Sequence, residues 1–166
     1  STSAPAKLYE RKLFENIRFP IGKLHEDLYT IYKIMDKAYK VVYGSEVVYF
    51  YYHRTGSITV SKFSVKRLDA IDALNQLKAD INISEYNIQY AFSSQILENI
   101  YSYFFTDITC DEIEKYGLWT MVKDNRKNVL FDKYVSKRIK GYAILSYAGL
   151  RCTLLITRCY YKRKWK

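Results

Sequence analysis

Residues 150–161 read LRCTLLITRCYY, and the way this stretch is taken decides the fold. Thr153, Ile156 and Thr157 are β-branched and Tyr160 and Tyr161 aromatic, residue types that suit a pleated, half-buried surface. Read with period two, Leu150, Cys152, Leu154 and Ile156 share an inward face. Arg151, Thr153, Leu155, Thr157 and Cys159 then share the other. GYAILSY (141–147) leads into this run through Ala148-Gly149, so the two segments predict a hairpin.

The same reasoning extends toward the amino terminus. LWTMV (118–122) and NVLF (128–131) flank Lys123-Asp124-Asn125-Arg126, which reads as a turn, and residues 132–140 (DKYVSKRIK) form a basic connector. EVVYFYYH (46–53), Arg54-Thr55-Gly56 and SITVSKF (57–63) predict a further hairpin, apolar or aromatic on both faces.

Helical spacing marks the remaining segments. Tyr9, Leu13, Phe14 and Ile17 predict a short amphipathic helix closed by Pro20. Ile21, Leu24, Leu28, Ile31, Met35, Ala38 and Val42 predict a long helix from Gly22 to Tyr43, stopped by Gly44. Val65 to Ala79 reads as another, with Val65, Leu68, Ile71, Leu74 and Leu77 inward. A third begins after Ser84, an N-cap, and runs to about Phe105. Thr109 and Glu112 make a capping box for a fourth, short helix that Gly117 ends. The expected architecture is therefore α+β. About four helices pack on a mainly antiparallel sheet of three hairpins, in one domain over residues 8–161. A flexible lead (1–7) and a basic tail (162–166) flank it.

Charge is distributed unevenly. The chain has 27 Lys and Arg against 17 Asp and Glu, and ten of the cations follow Asp132 with no acid among them. Residues 1–132 are thus formally neutral, and the basic end predicts a polyanionic partner. Lys137, Arg138, Lys140, Arg151, Arg158, Lys162, Arg163, Lys164 and Lys166 are the candidate phosphate contacts. Tyr161 and Trp165 are candidate stacking platforms. Eighteen tyrosines and eight phenylalanines supply aromatic surface for cores and interfaces alike.

Other chemistry finds little support. Cys110, Cys152 and Cys159 are odd in number and far apart, which predicts a reduced, cytoplasmic protein rather than a disulfide scaffold. His25 and His53 lie far from them, so zinc is not expected. No phosphate loop, nucleophile elbow or H-E-x-x-H sequence occurs, and no run of 18 apolar residues. Carboxylates alone can support metal-dependent phosphodiester cleavage; Glu46, Glu85, the pair Asp69 and Asp72, and the cluster near Asp111 are the candidates, with Mg²⁺ or Mn²⁺ as cofactor under that alternative alone. The composition, rich in Tyr, Ile and Lys and poor in Gly and Pro, resembles that of small proteins of viruses infecting hot-spring archaea. That resemblance implies a virus-encoded protein of the host cytoplasm that handles nucleic acid. Nucleic-acid binding, DNA or RNA, is the leading expectation. The alternatives are a nuclease or other phosphoryl-transfer enzyme, and a structural, oligomer-forming virion or ribonucleoprotein component. Homo-oligomers and peripheral contact with anionic membrane are the other partners the residues allow.

Overall fold

A computed structural model describes residues 3–50, 52, 62–81 and 88–164, the last four (161–164) by their backbone alone. Among the described residues there are seven α-helices and no strand, so the α+β expectation is overturned in favour of a helical fold. The described residues fall into two compact units. The first contains residues up to Tyr52 together with 64–81; the second contains 62–63 and 88–164. Among the described residues no helix is long and apolar enough to cross a membrane.

In the first unit, α1 spans Glu26–Lys37 and α2 spans Asp69–Asp80. Glu26 and Asp27 sit in the first turn of α1, where negative charge complements the helix dipole. Its buried stripe splits into two contacts. Leu28 and Tyr29 pack on Ala70 and Ala73 of α2, whose small side chains admit a close approach. Ile31 and Ile34 join Ile17, bordered by Tyr9, Leu13, Phe14, Phe19 and Met35. Burying a side chain as fully as Ile34, 1% exposed, contributes about 1.5–3 kcal/mol. The helix expected from Gly22 to Tyr43 is realised over its central twelve residues. Ala38 turns extended, and residues 39–50 are exposed and without regular secondary structure. The helix expected between Tyr9 and Ile17 is reduced to one 3-10 turn, Arg11–Phe14. Of the expected hairpin at 46–63, residues 51 and 53–61 lie outside the described residues. Residues 46–50 form no strand.

The second unit is organised around α3, Gln89–Phe104. Phe92, Ile96, Leu97, Ile100, Tyr101, Tyr103 and Phe104 are all buried on it. The capping box expected at the next helix is present: Thr109 Oγ1 accepts from the Glu112 N–H at 3.2 Å, and Glu112 accepts from the Thr109 N–H at 2.8 Å. That cap opens α4, Cys110–Lys115. Gly117, at φ 65°, takes the left-handed conformation that ends it and starts α5, Leu118–Leu130. Ser136 caps α6, Lys137–Leu145, and Gly149 at φ 88° turns the chain into α7, Leu150–Lys164.

Both carboxy-terminal hairpins are therefore helices, for a reason visible in the burial pattern. Leu118, Val122 and Val129 are buried, with Met121 and Asn125 half-buried between them, so inward positions recur every three or four residues. Lys123-Asp124-Asn125-Arg126 contains no Gly or Pro and continues α5. In α7 the inward residues are Thr153, Leu154 and Thr157, a helical rather than an alternating set. Thr153 Oγ1 satisfies its buried hydroxyl on the Leu145 carbonyl at 3.1 Å. Strand propensity reports fit to a half-buried surface rather than a backbone preference, and here packing against α3 overrides it.

Candidate functional site

The expected acidic candidates are not brought together. Asp69 opens α2, where it accepts from Lys23 Nζ at 2.8 Å and from the Leu24 N–H at 2.9 Å. Burial works against its charged form, but the Lys23 and Leu24 hydrogen bonds outweigh that and hold its carboxyl below the usual range. Asp72 lies 3.5 Å from the same ammonium. A lysine thus occupies the place between the two carboxylates that a cation would take, and Asp69 ties the chain at 23–24 to the helix start. Glu85 lies outside the described residues. Among the described residues no group of three or more His, Cys, Asp and Glu side chains could hold a metal ion.

Asp111 stands in α4 on an open depression of about 350 Å³. Glu114 one turn further on lines it too, with Cys110 on the same helix and Gly149, Arg151 and Cys152 at the start of α7. Two carboxylates, a guanidinium and two thiols therefore border one hollow. Asp107, just before α4, accepts from the Phe63 N–H at 2.9 Å, which holds its carboxyl below the usual range.

The cations divide by what they already hold. Arg158 does not project from a sheet as expected: it is half-buried and donates to the carbonyls of Phe104 and Ile108, closing the end of α3. Arg138 is paired with Glu98. Arg126, which sequence reading passed over, stacks 3.8 Å from the Tyr147 ring centre and donates to the Ser146 carbonyl at 3.2 Å. Lys137 and Arg151 are exposed, and Lys140 is half-buried. Tyr161, Lys162, Arg163 and Lys164 lie on α7, and Trp165 and Lys166 lie outside the described residues.

The feature sequence reading missed is the outer face of α7. Cys152, Leu155, Ile156, Cys159 and Tyr160 are all exposed, Leu155 at 67% and Ile156 at 47%. The strand register put Cys152 and Ile156 inward; helical periodicity carries both to the face opposite Thr153, Leu154 and Thr157. The signal was available, because 152, 155, 156 and 159 are spaced by three, one and three.

No family model matches the chain, and no solved structure does. Over 57 residues the chain is 46% identical to the glycosyltransferase GlyA of Streptococcus pneumoniae. The match covers 34% of this chain and 8% of GlyA, so the chain spans a small part of the length of the relative it matches. The named activity is sugar transfer in a bacterium. That name points to a different function than nucleic-acid binding, nuclease action or a virion or ribonucleoprotein role, and corrects that expectation. The geometry agrees in one respect, since Arg138 and Arg158 are engaged within the fold.

Proposed function

We propose that the chain is a helical supporting part of a glycosyltransferase. The observation that carries this reading is the 57-residue likeness to GlyA at 46% identity. Sugar transfer joins the anomeric carbon of an activated donor to an acceptor hydroxyl, and a donor must be shielded from water to avoid hydrolysis. Sites that do so enclose most of their ligand. The hollow beside Asp111 and Glu114 is open, which suits contact with an acceptor, or support of another part of the enzyme, better than enclosure of a donor. In this reading the carboxylates and Arg151 offer hydrogen-bond partners to hydroxyls of an acceptor sugar.

The test is a transfer assay with nucleotide-sugar donors and a panel of glycan and glycopeptide acceptors, run beside equilibrium binding of the same acceptors. Acceptor binding without turnover supports the supporting role. Turnover by the chain keeps the glycosyltransferase reading but overturns the supporting role. Neither binding nor turnover across the panel contradicts both.

A further inference from the structure

Among the described residues the outer face of α7 is exposed, and its chemistry narrows what can cover it. Leu155 and Ile156 stand side by side at its centre, 67% and 47% exposed. Tyr160, at 62%, borders them one turn toward the carboxyl end beside exposed Cys159, and exposed Cys152 lies one turn toward the amino end. No Asp or Glu occurs after Asp132, while ten Lys and Arg do. Four of the last five residues are cations, directly after the apolar stripe. The first turn of α7 is different, because Asp111 and Glu114 border the hollow beside it. Along the chain, then, the exposed apolar residues of the later turns are followed directly by a basic run.

A partner for this surface must be anionic and apolar at once. A second copy of the chain would bring two acid-free basic ends together, and like charges at close range are repulsive. A soluble polyanion would meet the cations and leave Leu155 and Ile156 in water. An anionic lipid bilayer offers negative headgroups and, just below them, acyl chains that take apolar side chains; amphipathic helices with basic flanks lie in that interface. The geometry points to α7 as a peripheral membrane-docking helix, seated by Leu155, Ile156 and Tyr160 on a bilayer rich in anionic lipid. The glycosyltransferase reading is not needed for this assignment.

Co-sedimentation of the full chain with vesicles tests it, using phosphatidylcholine with and without phosphatidylglycerol. Binding is expected to the anionic vesicles and not to the neutral ones, and to weaken as salt rises, since each cation near such a surface strengthens binding by about fivefold. The double variant Leu155→Glu, Ile156→Glu changes exposed positions, so its circular dichroism should match the parent. Its vesicle binding should drop at least about tenfold, each carboxylate adding charge repulsion to lost apolar contact. Phe131→Glu, at a still more exposed apolar position outside α7, should bind as the parent does. A fluorophore on Cys159 should shift to the blue on anionic vesicles alone. Equal binding to neutral vesicles, no binding, or full binding by the double variant would each overturn the assignment. Lipid-free self-association that the double variant abolishes would give the face to a second copy and overturn it as well.

Discussion

Tyr101 is the residue on which the second unit can be tested most sharply. It is fully buried on α3, its ring lies 4.2 Å from that of Tyr142 at 7°, and Phe104 lies 5.0 Å away. Its hydroxyl donates to the Tyr142 carbonyl at 2.5 Å, linking α3 to α6. Burial pushes its phenol well above the ordinary value of 10.0. Tyr101→Phe removes the hydroxyl and keeps the ring. The Tyr142 carbonyl still accepts from the Ser146 N–H, so no buried acceptor is orphaned. The cost should then be that of one net hydrogen bond, about 1 kcal/mol. Tyr101→Ala also removes the stacked ring and leaves a cavity, at about 3–5 kcal/mol. Against a total domain stability of about 5–15 kcal/mol, the second change threatens folding and the first does not. Urea titration followed at 222 nm should move the Phe midpoint down by roughly 0.3–1 M, with an unchanged slope. The raised phenol also makes the parent lose stability as pH climbs past 10, a dependence the Phe variant should show less steeply, since Tyr142 is raised by burial as well and remains. Equal losses for Phe and Ala would refute the ring's dominance, and an Ala variant within about 1 kcal/mol of the parent would refute the packing itself.

Three further expectations concern single side chains. His25 caps α1 at φ 58° and ψ 38°, and burial, then the nearby Arg67 charge, lower its pKa from 6.5. The unfolded chain takes up that proton first, so the first unit should lose stability as pH falls through 6.5. His25→Asn, which tolerates the left-handed backbone, should flatten this slope in thermal melts between pH 7 and 5. Asp69 has a depressed pKa, so its contribution is complete above about pH 4 and is lost as pH drops below the folded value. Asp69→Asn should cost about 1 kcal/mol at pH 7 and nothing further in acid, read as converging melting temperatures. Arg158→Ala should cost about 1–2 kcal/mol by freeing the Phe104 and Ile108 carbonyls, and Arg158→Lys should not restore it, because a lysine lacks the forked donors. Full rescue by lysine in urea titration would show that charge alone matters there.

The parts of this fold legible in the sequence are those carried by local chemistry. Thr109 and Glu112 make their capping box over four residues, and the stripe through Leu28, Ile31 and Met35 is periodic whatever it packs on. Val65 illustrates the limit: it fits the apolar period yet is 60% exposed, since the 3-10 turn at Val65–Leu68 rotates it outward. The hairpins failed because Thr153, Ile156 and Thr157 favour strands on average, whereas α3 supplies a surface that a helix covers better. Arg158 could not be read locally, as its two acceptors are 54 and 50 residues away in the chain. The candidate hollow depends on Asp111 of α4 and Arg151 of α7 lining one depression, a juxtaposition no spacing rule describes. Charge asymmetry was plain in the sequence, but whether each cation is spent inside the fold was not.

The placement of the cations and the docking face both rest on α7 being a helix with Thr153, Leu154 and Thr157 inward. Single cysteines placed at each position from 152 to 160, with the native cysteines changed to serine, can be tested for reaction with a water-soluble thiol reagent. A helix predicts fast labelling at 152, 155, 156, 159 and 160 and protection at 153, 154 and 157. Alternation, with 152, 154 and 156 protected together and 153, 155 and 157 labelled, would restore the strand and contradict the account.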